Sequence, residues 1–217
     1  MTKRRSFLRG VFLAGAAMTA GAPLSGCATA PPRATAPGPV DRPAGSVLLV
    51  YFSRAGENYH YGGRRHLKVG NTEVLARLIA GRLGCDVYRV RPADPYPGDY
   101  SETVERNVRE QDAGARPAIA GRLPSLDHYG TVLLAGPIWN VRAPMIMTTF
   151  TESLDFRGKT VIPITTHAMS GLGTTERDYA ASCPGATIGH GLAVRGEEAA
   201  AARPEVDAWL RRIGRLA

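Results

Sequence analysis

At 217 residues the chain is long enough for one ordinary domain with a short appendage, and 44% hydrophobic with 21% charged residues is the composition of a globular fold with a real core. The formal charge of +8 is unevenly shared: residues 1–27 carry Lys3, Arg4, Arg5 and Arg9 with no acid, so 23 of the 27 basic side chains and all 19 acidic ones lie beyond it. A remainder at +4, without a basic helix or an interleaved aromatic-basic array, excludes a nucleic-acid footprint.

The first segment, 1–27, reads as an address. Its charged start is followed by an apolar stretch from Gly10 to Pro23, too short to span a bilayer and remain there. Arg4-Arg5 followed by Phe7-Leu8 resembles the twin-arginine export signal, and Leu24-Ser25-Gly26-Cys27 resembles the lipobox of bacterial lipoproteins, with Cys27 as the lipidated residue. Together they imply export and a lipid anchor on a bacterial membrane, facing the periplasm or cell exterior. Residues 28–45 are rich in Pro and Ala and lack an apolar period, which predicts a disordered spacer.

The domain is expected from residue 46 to 217, alternating strands and helices. Val47–Phe52 is a continuous apolar run, as expected of a strand buried on both faces. Asn71–Leu83 sets Val74, Leu75, Leu78 and Ile79 on one helical face, with Gly84 as the stop. Asp86–Val90 alternates like an edge strand, and Tyr100–Gln111 is a polar helix. Thr131–Gly136 and Thr160–Thr165 are further apolar strands, the second carrying Pro163, which removes a ladder donor. Pro144–Leu154, Thr174–Ser182 and Pro204–Leu216 read as helices, and Thr187-Ile188 with Leu192–Val194 as a broken fifth strand. Five strands alternating with helices predict an α/β fold, a parallel sheet covered on both faces.

In such sheets ligands bind beyond the carboxyl ends of the strands, where strand order reverses. Three loops lie there: Ser53–Thr72, Pro137–Pro144 and Thr166–Gly173. The runs Tyr51–Asn58, Gly70–Thr72, Gly136–Trp139, Ser153–Thr160 and Thr166–Gly173, in that order, resemble the flavodoxin-like family over nearly everything from Val47 to Gly196. The resemblance implies a doubly wound five-stranded parallel sheet of order 2-1-3-4-5 and FMN as cofactor. It implies that Ser53, Arg54, Ala55, Asn71 and Thr72 hold the phosphate at a helix N-terminus, with Gly70 letting the backbone close in. Pro137, Ile138, Trp139 and Asn140 would bracket the flavin ring, Trp139 by stacking. Thr166, His167, Ser170, Gly171 and Gly173 would meet its pyrimidine edge, with His167 as a candidate proton donor.

Three departures stand out. Residues Tyr59 to Val69 are inserted in the first loop, resembling a branch of the family with an elongated phosphate loop; the insert is basic and aromatic, suiting a lid, a partner contact or a solvated insertion. Asn140 and Val141 stand where the family often has Trp and Gly. Arg142 would place a guanidinium near the ring and favour the anionic reduced flavin, raising the midpoint potential. The implied strand order sets Cys85 and Cys183 on opposite edges of the sheet, roughly 19 Å apart, beyond the reach of a disulfide. His and Cys spacing shows no metal site, and neither a Gly-x-Ser-x-Gly elbow nor a dinucleotide fingerprint is present. The expected function is FMN-dependent electron transfer, as a carrier with a protein partner or as a small NAD(P)H:quinone-type reductase. A flavin-free binding or structural lipoprotein on the same fold is the alternative.

Overall fold

The computed structural model describes residues 46–216, so the export signal, Cys27 and the spacer 28–45 lie outside the described residues. The chain runs β1 (Ser46–Tyr51), β2 (Gly56–His60), β3 (Gly63–Leu67), α1 (Asn71–Leu83), β4 (Asp86–Arg89), α2 (Tyr100–Asp112) and β5 (Tyr129–Pro137). It continues through α3 (Met145–Glu152), β6 (Thr160–His167), α4 (Thr175–Ser182), β7 (Thr187–Ile188), β8 (Leu192–Arg195) and α5 (Arg203–Arg212).

The strands order as β4-β1-β5-β6-β7, with β8 also on β6, and every pairing in this sheet is parallel. This is the expected 2-1-3-4-5 arrangement with one difference: the fifth position is shared by two short strands, giving six strands rather than five. Pro163 gives the reason. β7 pairs with β6 at Thr160 and Val161, β8 resumes at Ile164, and Pro163 falls in the gap, its carbonyl turned toward Gly191 of the interrupted neighbour. In a parallel ladder a residue's N–H and C=O point to the same side, so the missing donor faces the interruption and leaves the β5 ladder intact.

The pleat divides the core. Leu48, Val50 and Phe52 join Val132, Leu134, Ile146 and Phe150 on one face, while Leu49 and Tyr51 join Leu75, Ile79, Leu133, Val206 and Leu210 on the other. α1 ends at Gly84 in the left-handed conformation, as expected. α5 stops at Arg212, short of the expected Leu216, because Gly214 turns left-handed and the Arg215 N–H closes back on the Leu210 carbonyl. Cys85 and Cys183 are both free, packed on opposite faces of the sheet. Among the described residues no helix is long and apolar enough to cross a membrane.

The insert forms the antiparallel hairpin β2–β3, registered from Gly56↔Leu67 to His60↔Gly63. Tyr61 and Gly62 both have positive φ at its tip, the backbone that a tight two-residue hairpin turn demands.

Candidate functional site

The carboxyl ends of β1, β5 and β6 open into a cavity of about 550 Å³. Of the residues singled out in the sequence, Ser53, Arg54, Asn71, Thr72, Pro137, Ile138, Trp139, Asn140, Thr166, His167 and Ser170 line it. Ala55, Arg142, Gly171 and Gly173 do not.

One end is built on the start of α1. The N–H groups of Asn71 and Thr72 lie in its first turn and have no partner within the helix. Ser53 Oγ accepts from the Glu73 N–H at 3.0 Å, tying the loop after β1 to that turn, and Thr72 Oγ1 lies 2.6 Å from Thr166 Oγ1 at the end of β6. Gly70 makes this closeness possible: a Cβ there would collide with the Arg54 carbonyl and Ser53 Oγ. Arg54 sends Nη1 to the Pro97 and Gly98 carbonyls at 2.8 and 3.1 Å, and Nη2 to the Glu57 carbonyl. Its Nε is buried without a partner among the described residues, and burial lowers its pKa from the ordinary arginine value, against the opposing pull of Asp99 and Glu57. Ala55 is exposed, since Gly56 at φ 95 turns the chain into the hairpin immediately after it; it is not part of this cradle.

At the other end Trp139 is held edge-on by Phe52 and Tyr96, with ring centroids 5.6 and 4.9 Å away. Tyr96 is fixed in turn by its hydroxyl on Glu110 at 2.7 Å and by Arg106 over its ring at 4.1 Å. Trp139 and Arg142 close a tight turn in which Asn140 adopts φ 64, a conformation Asn tolerates better than most residues. Arg142 corrects the sequence expectation: its Nε lies 3.2 Å from Asp178 of α4, which offsets its charge and holds it away from the cavity.

His167 is half-buried, with Nδ1 unpartnered among the described residues. Burial first, and Arg195 second, lower its pKa against Glu197 and Glu198, so the imidazole is neutral at neutral pH. Gly171 and Gly173, at φ 57 and 55, shape the following loop instead of lining the cavity: the Gly171 carbonyl accepts from Thr165, and Gly173 packs against the Val141 carbonyl too closely for any side chain.

Sequence reasoning missed one wall. Tyr100, Thr103, Val104, Asn107 and Val108 of α2 line the cavity, as do Asn58 of the hairpin and Gly196 and Glu197 beyond β8. The hairpin is stitched on both sides: Glu57 Oε2 accepts from the Tyr100 N–H at 3.3 Å, Arg64 lies 4.6 Å over the Tyr100 ring, and the Tyr61 N–H donates to Glu197 at 3.0 Å. The only hint in sequence was the i, i+3, i+4 spacing of Val104, Asn107 and Val108 on a helix otherwise polar.

A doubly wound parallel sheet with its cavity at the strand-order reversal defines the α/β proteins that hold a ligand at a topological switch point. The chain belongs to the flavodoxin family: the family described as Flavodoxin matches residues 66–213. A Bacteroides uniformis protein described as a flavoprotein is similar at 31% identity, over 77% of this chain and 99% of its own, with a TM-score of 0.62. Another, from Bacteroides eggerthii, is similar at 26% identity over 78% and 98%, with a TM-score of 0.61. A flavoprotein in complex with FMN from Lactobacillus acidophilus shares the fold at 16% identity, over 76% and 99%, with a TM-score of 0.56. No curated protein matches the chain.

Proposed function

We infer that the cavity binds FMN and that the protein is an electron carrier or small reductase working outside the cytoplasm on a lipid anchor at Cys27. The observation that carries the cofactor is the α1 end of the cavity: the first-turn N–H groups of Asn71 and Thr72 and the Ser53 hydroxyl lie together where a terminal phosphate needs donors, and Arg54 lines the same cavity. The opposite end supplies Ile138, Trp139 and the unpartnered His167 Nδ1 for a flat ring with polar edges. A cavity of about 550 Å³ is of the size that buries a ligand of this kind.

Bound flavin would supply the electron chemistry. The chain's own residues do the rest. α1 and Arg54 would anchor the phosphate, and the hairpin, stitched to Tyr100 and Glu197, adds Asn58 and Tyr59 to the cavity wall. His167 stays neutral and offers a hydrogen bond without adding charge. The membrane anchor rests on the Arg4-Arg5 and Cys27 motifs alone.

The test is FMN titration of the purified full chain, read by quenching of flavin fluorescence, with the bound flavin released by heat and identified. Saturable uptake at micromolar concentrations or tighter is the expected result. Absence of uptake refutes the reading and leaves a flavin-free binding protein.

A further inference from the structure

Helix α2 buries the wrong residues for a surface helix. Val104 and Val108 are each 43% exposed, while their neighbours Thr103 and Asn107 are 4% and 3% exposed. An apolar pair on the open side of a helix otherwise so polar asks for a covering group. Both valines line the cavity, together with Asn107 between them and Met169, which is 81% exposed, from the loop after β6.

The orientation of Asn107 can be deduced. The side-chain nitrogen of Gln111 lies 3.2 Å from the Trp139 carbonyl, which can only accept, so that atom of Gln111 is the donor Nε2. Its second proton goes to Asn107 at 3.1 Å, so the atom receiving it is the acceptor Oδ1. Asn107 Nδ2 is therefore a donor with no partner among the described residues, on a residue recessed in the cavity wall. The residue is recessed, but Nδ2 itself is open to the cavity, where a ligand oxygen can accept from it.

We propose that the Val104–Asn107–Val108 face of α2 is a substrate subsite for a flat, apolar ring carrying a carbonyl-type oxygen, the ring lying on the valines and the oxygen accepting from Asn107 Nδ2. This rests on the flavin reading above, since it places the substrate in the same cavity beside the proposed cofactor. The occupant is a small molecule rather than a protein surface. The exposed apolar wall is three side chains, against about 20–30 residues a side in a stable protein interface. The one donor it offers sits on a residue only 3% exposed, below the reach of a flat partner.

A matched pair of probes tests this on the oxidised, FMN-loaded full chain: 2-methyl-1,4-naphthoquinone and 2-methylnaphthalene, the same ring and methyl group with and without oxygens. Binding is read by calorimetry, so turnover is not needed. The quinone is expected to bind saturably and about tenfold tighter than the hydrocarbon, the difference one hydrogen bond makes. Asn107→Leu should bring the two within about twofold while FMN affinity stays within about threefold. Val104→Asp with Val108→Asp, changes at exposed positions that leave the fold intact, should weaken both probes about tenfold or more. Equal binding of the two probes to the native chain, or probe affinities unmoved by the aspartates, overturns the proposal. So does a tenfold loss of FMN affinity in Asn107→Leu, which would mean that this face holds the cofactor itself. If the native chain takes up no FMN, the flavin reading fails separately, and the same titrations on the flavin-free chain still report on the face.

Discussion

Gly70→Ala isolates the closure on which the α1 end of the cavity depends. Gly70 has φ −69 and ψ 149, which any residue adopts, so the substitution introduces no backbone strain. What it introduces is a Cβ against the Arg54 carbonyl and Ser53 Oγ, with the Arg54 carbonyl carbon at 2.8 Å. The obstacle is mainly backbone, so the loop after β1 has to move, and overpacking of this kind costs about 1–3 kcal/mol. Displacing Ser53 also breaks its bond to the Glu73 N–H, a hydrogen bond of about 1 kcal/mol. Against these stands about 0.4–1 kcal/mol from the stiffer unfolded chain. The net is a loss of about 2–3 kcal/mol, or about 5–10 °C in Tm for a domain of this size. Thermal denaturation followed by circular dichroism reads it on the flavin-free chain. Ser53→Ala alone should lose only that hydrogen bond, about 1 kcal/mol. Because Ser53 Oγ is part of the collision, the double variant should be less destabilised than the two singles added, by about 0.5 kcal/mol or more. A Gly70→Ala protein melting within a degree of the native one, or strictly additive variants, would refute the reasoning.

Two further outcomes follow from the same loops. Asn140→Ala should destabilise by about 1 kcal/mol and Asn140→Gly by far less, because φ 64 penalises a Cβ that lacks a compensating local side chain; equal urea midpoints for the two would show that the turn relaxes. His167 has a folded pKa below its unfolded value near 6.5, so under that pH the unfolded chain takes up a proton the folded chain resists. The stability it contributes is complete above about pH 6.5 and declines as pH falls toward the folded pKa. His167→Gln should therefore lose less stability than the native chain between about pH 7 and 5, and parallel curves would contradict the assignment.

What the sequence revealed followed from burial. β1 is an apolar run because both its faces are covered, and Leu48 to Phe52 announce that without reference to any other segment. α1 carries both its apolar stripe and its stop, Gly84. The hairpin carried no such mark. β3 reads Gly-Arg-Arg-His-Leu with four of its five residues exposed, so no alternation records its inner face. Its order comes from Glu57 and Arg64 on Tyr100, more than thirty residues away in the chain. Arg142 was misread for a similar reason: only the fold brings Asp178 beside it. The α2 wall was illegible because two valines among charges look like ordinary surface variation until a cavity lies next to them.

The hairpin also explains why the first loop can be so long without loosening the site. An insertion between Ser53 and Asn71 would by itself separate the residues that must meet at the α1 N-terminus. Pairing Gly56 with Leu67 returns the chain almost to where it left, so the insertion leaves the loop's ends together. Gly70 then lets those ends touch, and Ser53 Oγ on the Glu73 N–H locks them. Arg54 fastens the departing strand to the Pro97–Gly98 carbonyls just ahead of α2. The residues that hold the hairpin down therefore also fix the α1 end of the cavity and the position of the α2 wall. A change in any one of them should be felt both in what the cavity holds and in the stability of the domain, while the sheet's own core, in Leu49, Val50, Leu133 and Leu134, keeps its packing.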